Sequence, residues 1–176
     1  RVQLKAGDSV EWLSVPIIHS TRGLIGAARI DTSKPWAEEH RRRLARSLGK
    51  APFYSEVEPL VEAIVQQEFA SLCALNIYAI EWLAAYLGFT TRFSRSSALG
   101  LTSRSSQRLL DICQHYQAST YITGHGARHY LDHALFEEHG VRVEYMQYAI
   151  EPYAQYGTFT PYVTILDLIA HTGKEA

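Results

Sequence analysis

The stretch Thr120–Asp132 constrains the fold more than any other part of this chain. Its sequence, Thr-Tyr-Ile-Thr-Gly-His-Gly-Ala-Arg-His-Tyr-Leu-Asp, is typical of a short buried strand, a Gly-x-Gly turn and the first turns of a helix. In open α/β sheets, ligands bind beyond the carboxyl ends of the strands, where a helix N-terminus can hold an anion. The stretch therefore predicts an α/β fold and an anion-binding turn at Gly124 and Gly126, with Arg128 as a neighbouring cation.

Strand-like segments alternate with helix-like segments along the whole chain. Strands are predicted at residues 9–18, 24–30, 89–93, 118–123 and 141–148, helices from about residues 35, 55, 72, 103, 125 and 160, a turn at 19–23 and a loop at 151–157. Such alternation favours a mostly parallel sheet with helices packed on it, a Rossmann-like three-layer fold. The first two strands are close enough in sequence to form an antiparallel pair near the N-terminus. We expect one α/β domain, residues 1–176, that lacks an N-terminal segment because the chain opens at Arg1 within a strand-like run.

Composition and charge exclude several classes of protein. The formal net charge is −1, so no overall field attracts nucleic acid or an anionic membrane. No apolar run approaches the roughly 20 residues that span a bilayer. The two cysteines, Cys73 and Cys113, lie on apolar helical patterns, where buried reduced thiols are expected. These features predict a cytoplasmic protein that binds neither nucleic acid nor membrane.

Three histidines, His125, His129 and His133, follow each other at the spacing of one helical turn. Two histidines so spaced can bind zinc from one helix face. On a helix that begins after Gly124, however, these three would lie opposite the apolar stripe, together with Phe136. We therefore expect a solvated histidine face, with no metal and no cofactor, and Phe136 covered by a partner or by the loop at 148–156.

Two polar residues on predicted helices are candidates for catalysis. His40 lies four residues after Trp36, so both share a helix face, and an imidazole beside an indole could act as a general base. Structural packing is the alternative for this pair. Asn76 falls in the middle of the apolar face of the helix at 72–87, where a buried amide needs partners. It either joins two elements or points into a ligand site.

The crevice beside the Gly124 turn would include three further residues. Ser97 follows the predicted strand at 89–93 and would reach the turn if that strand neighbours the one at 118–123. Tyr130 and Asp132 lie on the helix after the turn. We count Tyr130 and Ser97, together with Trp36, as substrate-binding candidates and Asp132 as a catalytic one.

Short motifs recur in order along almost the whole chain. They are Trp12-Leu-Ser-Val-Pro16, Trp36 with His40, Lys50-Ala-Pro-Phe-Tyr54, Asn76, Leu87-Gly88, Tyr121-Ile-Thr-Gly124, Ala127 with Tyr130-Leu-Asp132, Tyr153 with Gln155, and Ile165-Leu-Asp167 with Gly173. This ordered set resembles the WbqC-like family of bacterial proteins, which is associated with O-antigen and other surface-polysaccharide gene clusters. The resemblance adds Tyr153 and Gln155 to the substrate-binding candidates. The proline- and aromatic-rich opening segment of that family is absent from this sequence, and the proline usual at position 125 is replaced by His125.

The resemblance implies a transferase that tailors an activated sugar by aminoacyl or acyl transfer to a sugar amine in surface-polysaccharide biosynthesis. His40 would then be the base, Asn76 would orient the substrate, and the Gly124 turn would hold phosphate. The expected partner is a small molecule, a nucleotide-sugar, and the chain could form a homo-oligomer. Two alternatives stay open: a non-catalytic protein that binds a nucleotide-sugar or another enzyme of the pathway, and a nucleotidyl-transferring enzyme.

Overall fold

A computed structural model describes residues 1–18 and 24–175 of the chain. The turn predicted at 19–23 lies outside these residues. The described residues form two compact units: unit 1 is drawn from Arg1–Thr91 and Glu151–Ala176, and unit 2 is Arg92–Ile150. In the described part of the chain, no helix is both long and apolar enough to cross a membrane. Cytoplasmic localisation and a single domain over residues 1–176 stay predictions.

The described elements are mostly helical. In chain order they are β1 (Val2–Ala6), β2 (Ser9–Leu13), β3 (Ile17–Ile18), β4 (Arg29–Ile30), α1 (Trp36–Leu48), α2 (Tyr54–Val65), α3 (Leu72–Tyr86), α4 (Ser105–His115), β5 (Thr120–Thr123), α5 (His133–Glu138), β6 (Arg142–Tyr145) and α6 (Ile165–Thr172). Short 3-10 helices lie at Ile25–Ala27, Ser96–Leu99, His125–His129 and Gly173–Glu175.

The predicted Rossmann-like, mostly parallel sheet is wrong. Among the described residues the strands form three separate two-stranded sheets: β1 with β2 and β3 with β4 are antiparallel, and β5 with β6 is parallel. The segment at 89–93 is irregular, with Phe89 and Phe93 more than half exposed, whereas a strand inside a parallel sheet buries both faces. The predicted pairing of the first two strands does occur, at Ile17 with Ile30, but as a sheet of its own.

The core of unit 1 lies between the β1–β2 hairpin and the helices α1, α2 and α6. Leu44 and Leu48, one helical turn apart on α1, and Ile169 on α6 pack in one cluster with Leu4 of β1. Thr164 caps the N-terminus of α6, and its side chain accepts a hydrogen bond from Leu166 N. Because α6 turns one face into this core, it also carries polar residues of that face into the interior.

Unit 2 packs α4 and α5 against the parallel pair β5–β6. The predicted continuous helix after Gly124 is wrong: a 3-10 helix at His125–His129 ends, and α5 begins afresh where the Asp132 side chain accepts from Leu135 N at 3.2 Å. This second start breaks the 100° register on which the predicted face depended. Phe136 is therefore fully buried and stacks on Tyr121 at 5.4 Å between ring centroids. The prediction that a partner or the loop at 148–156 covers Phe136 is wrong.

Candidate functional site

A polar pocket of about 370 Å³ in unit 1 is the candidate functional site. We call it the Lys5 pocket; it is lined by Lys5, Ala6, Gly7, Arg46, Ser47, Lys50, Tyr156, Asp167 and His171. The β1–β2 hairpin, the C-terminal end of α1, the loop before α6 and α6 itself supply these side chains. The pocket thus joins charged groups from both ends of the chain around the core described above.

Asp167 and His171 lie one turn apart on α6 and are almost wholly buried, with exposed side-chain fractions of 1% and 6%. Nδ1 of His171 lies 2.8 Å from the backbone oxygen of Asp167 and 3.5 Å from its Oδ1. A carbonyl oxygen only accepts hydrogen bonds, so Nδ1 must carry the hydrogen. Nε2 of the neutral ring is therefore left with its lone pair, the form that a general base requires.

Two buried polar atoms of this pair lack a hydrogen-bond partner within the described residues. They are Oδ2 of Asp167 and Nε2 of His171. Native proteins satisfy nearly all buried polar side-chain atoms, because an unpaired one loses its hydration without compensation. Both residues line the Lys5 pocket, so the two unpartnered atoms lie in the residues that border this cavity.

The predicted binding residues Tyr153 and Gln155 hold the Asp167 carboxylate in place. Its Oδ1 accepts from the Tyr153 hydroxyl at 2.8 Å and from Gln155 Nε2 at 2.9 Å. Burial, and then the bond to Asp167, raise the pKa of Tyr153 far above its usual value. The phenol therefore remains a donor at neutral pH. Both residues contact Asp167; their predicted contact with substrate stays a prediction.

Lys5 brings a positive charge into the same network. It points inward from β1 and is only 4% exposed; its Nζ donates to Thr158 O and lies 3.3 Å from Gln155 Oε1. No carboxylate oxygen of residues 1–18 or 24–175 lies within 4 Å of this ammonium. Gln155 therefore bridges the buried cation of Lys5 to the buried anion of Asp167.

The loop that carries Gln155 is attached to the hairpin through Gly157. Oδ1 of Asp8 accepts from Thr158 N at 3.0 Å, and the Tyr156 hydroxyl donates to Lys50 O. Gly157 has φ +74°, and a Cβ there would lie 2.4 Å from Oδ1 of Asp8. Only glycine fits this close approach without strain.

Gly157→Ala should lower the free energy of unfolding by about 1–3 kcal/mol, because it combines a left-handed backbone with a clash against Asp8. Gly88→Ala is the matched control: its φ is +75°, and nothing lies within 4 Å of the added Cβ. Urea unfolding followed by tryptophan fluorescence measures both. Equal losses in the two variants would mean that the contact with Asp8 does not constrain the loop.

Trp36 and His40 pack together on α1, away from the Lys5 pocket. Their rings meet edge to face at 5.2 Å, and Nε2 of His40 is 3.1 Å from Ser14 O. Burial lowers the pKa of His40, and the Ser14 carbonyl opposes that effect. The neutral ring is favoured, but its Nε2 hydrogen is used by Ser14. The role of His40 as a base stays a prediction.

Asn76 is exposed on α3, so the predicted buried amide is wrong. The helix itself is confirmed, at Leu72–Tyr86, and Gly88 follows it with φ +75°. An exposed amide is satisfied by water and needs no protein partner. Its predicted catalytic contact with a substrate stays untested.

The remaining predicted site residues belong to unit 2. Ser97 is exposed in a 3-10 turn, and the strand on which its placement depended does not form. Gly124 has an ordinary φ of −80° and, like Gly126, has no atom within 4 Å of an added Cβ. Tyr130 is 68% exposed. Asp132 caps α5, and its backbone N–H donates to Ser106 Oγ at 3.0 Å, so a structural role accounts for its position.

Two comparisons with known proteins match this chain over its full length. The model of the WbqC-like protein family matches residues 1–176. A protein of Mycobacterium tuberculosis, Rv1507c, described as uncharacterized, is 31% identical over 181 residues, covering 100% of this chain and 78% of its own length. No solved structure matches the chain. With its full length matched by the family model and by this relative, the chain belongs to the WbqC-like protein family.

Proposed function

We propose that this protein is a transferase that moves an acyl or aminoacyl group onto the amine of an activated sugar, and that the Lys5 pocket is its active site. The observation that carries the proposal is the pair of buried, unpartnered atoms, Asp167 Oδ2 and His171 Nε2, on one turn of α6. The link to surface-polysaccharide tailoring rests on the family resemblance. His171 replaces His40 as the proposed base.

A protonated amine suits both unpartnered atoms. Its N–H groups would donate to Oδ2 of Asp167, where opposite charges strengthen the hydrogen bond. Nε2 of His171 would accept one proton, which leaves the amine neutral and nucleophilic. Tyr153 and Gln155 keep the carboxylate in one orientation during this step. A fixed base within hydrogen-bond reach is what proton transfer requires.

The transfer forms one bond and breaks another at the carbonyl carbon of the donor. The amine nitrogen attacks the activated carbonyl carbon of the donor, a C–N bond forms, and the bond from that carbon to the leaving group breaks. His171 first releases the captured proton to the solvent, and its Nε2 then takes the second amine proton and passes it to the leaving group. Lys5 would stabilise the negative charge that grows on the carbonyl oxygen, because buried charges act strongly there. Arg46 and Lys50, at the same pocket, would attract the phosphates of the activated sugar.

A second candidate function is favoured by an apolar groove in unit 1. The groove, of about 560 Å³, is lined by Trp12, Tyr162 and Ile165 among others, which are 48%, 75% and 41% exposed. Exposed apolar surface of this kind commonly marks a contact with another protein. A non-catalytic protein that binds a nucleotide-sugar and another enzyme would use this groove.

The deciding experiment is a turnover assay. The purified protein is incubated with nucleotide-linked amino sugars and with acyl or aminoacyl thioesters, and the products are analysed by mass spectrometry. Time-dependent formation of the sugar amide supports the proposed transferase. Saturable binding of the nucleotide-sugar without any product favours the non-catalytic function. Release of pyrophosphate from a nucleoside triphosphate favours nucleotidyl transfer.

A further inference from the structure

Three side chains that can carry positive charge surround one tyrosine in unit 2. The His125 ring stacks on the Tyr145 ring at 5.9 Å between centroids, and the Arg128 guanidinium carbon lies 4.8 Å from that centroid. Nε2 of His133 is 2.6 Å from the Tyr145 hydroxyl oxygen. We call these four residues the Tyr145 cluster. They come from three elements, so the fold, not local sequence, assembles them.

The Tyr145 cluster lies where α/β units commonly bind ligands. Thr123 and Tyr145 are paired as the last residues of the parallel strands β5 and β6. His125 and Arg128 follow β5 directly. Loops beyond the carboxyl ends of parallel strands present side chains and backbone groups together, which is why ligands bind there. His125, Arg128 and His133 are exposed, so a ligand could reach them.

The side chains that surround Tyr145 have no carboxylate partner among the described residues. In the part of the chain that the structure describes, no carboxylate oxygen lies within 4 Å of a side-chain nitrogen of His125, Arg128 or His133. Two other arginines of unit 2 are engaged: Arg142 pairs with Glu144 at 3.2 Å, and Arg108 donates to two backbone carbonyls. The charge of the Arg128 guanidinium is therefore open to a bound anion.

We propose that the Tyr145 cluster binds the phosphate group of a phosphorylated ligand. The planar guanidinium of Arg128 offers parallel N–H donors that match two phosphate oxygens. The hydrogen-bonded pair of His133 Nε2 and the Tyr145 hydroxyl places further polar groups beside the ring. The His125 ring stacks on the same tyrosine. The proposal rests on these contacts and is independent of the transferase chemistry in unit 1.

The test is an NMR titration of the full chain with inorganic phosphate and, in a second arm, with a nucleoside diphosphate. The ring signals of His125 and His133 shift when an anion binds at the Tyr145 cluster. This readout therefore distinguishes binding there from binding in the Lys5 pocket. Saturable shifts with either probe support the site. Tighter binding of the nucleoside diphosphate identifies a nucleotide as the source of the phosphate, and equal binding identifies free phosphate.

Variants decide whether the built cluster is responsible. Arg128→Gln should weaken binding about 10-fold or more, because a charged bidentate contact is lost. Arg128→Lys should retain part of the affinity, since lysine keeps the positive charge but lacks the two parallel N–H donors of the guanidinium. Arg142→Gln, an exposed arginine of the same unit that is paired with Glu144, is the control and should change binding less than about twofold.

Three results overturn the proposal. Arg128→Gln could bind both probes as tightly as the wild type, or Arg142→Gln could weaken binding equally. The histidine signals could also move only in proportion to the probe concentration and return when NaCl is added to about physiological ionic strength, at which weak surface attraction is screened. That result would mean an adventitious ion only.

Discussion

His171→Gln should lower the turnover number about 100- to 10,000-fold, the usual contribution of a positioned general base. Glutamine keeps a donor that can still bond to the Asp167 backbone, but its amide cannot take up a proton. Because Oδ2 of Asp167 is unchanged, the acceptor amine should still bind, so KM should change much less than kcat. Steady-state kinetics on the substrate found in the turnover assay measure both constants.

The matched control is His40→Gln. His40 is the base that the sequence predicts, and its Nε2 is bonded to Ser14 O. If His171 is the base, His40→Gln should stay within about threefold of wild-type turnover, and any loss should appear in stability instead. The opposite pattern, with His40→Gln inactive and His171→Gln active, would mean that His40 on α1 is the base and that the Lys5 pocket is not the active site. Circular dichroism of both variants shows that the comparison is made on folded protein.

Part of the site was readable in the sequence. Tyr153 and Gln155 were selected from the family-like motifs, and both contact Asp167. Asp167 lies in the motif Ile165-Leu-Asp167, and His171 follows it at the spacing of one turn. A carboxylate and an imidazole on the apolar face of a short helix are a usable signal, since buried polar groups need partners.

Lys5 could not have been selected in the same way. It is 150 residues from Gln155 and 153 from Thr158, the residues that receive its hydrogen bonds. Periodicity describes which face of an element is apolar, not which distant element covers that face. A lysine in a strand usually faces water. Only the folded hairpin shows that this one points inward.

The error in the fold has a similar origin. The strands at 118–123 and 141–148 were correctly placed, as β5 and β6, and they do pair in parallel. They do not join the N-terminal strands or the segment at 89–93 in one sheet, as the predicted fold requires. Aromatic and β-branched residues raise strand propensity, but burial decides whether a strand forms. Phe89 and Phe93 lack that burial, so the segment stays irregular.

Phe136→Ala should lower the free energy of unfolding of unit 2 by about 3–5 kcal/mol, the cost of emptying a ring-sized space in a core. Phe136 is 0% exposed and packs with Leu110 and Val141 as well as Tyr121. The control is Tyr130→Ala, an aromatic residue that is 68% exposed and should cost less than about 0.5 kcal/mol. Hydrogen exchange of the β5 amides as a function of urea measures the loss.

The same variant tests whether the chain is one cooperative domain. All three tryptophans, Trp12, Trp36 and Trp82, belong to unit 1, so their fluorescence reports the unfolding of that unit alone. If residues 1–176 unfold as one domain, as the sequence predicts, Phe136→Ala must shift the fluorescence transition to lower urea together with the exchange of β5. If the fluorescence midpoint stays at its wild-type value while β5 exchanges faster, the two units unfold separately. An unchanged β5 would instead mean that Phe136 does not stabilise unit 2 as its burial requires.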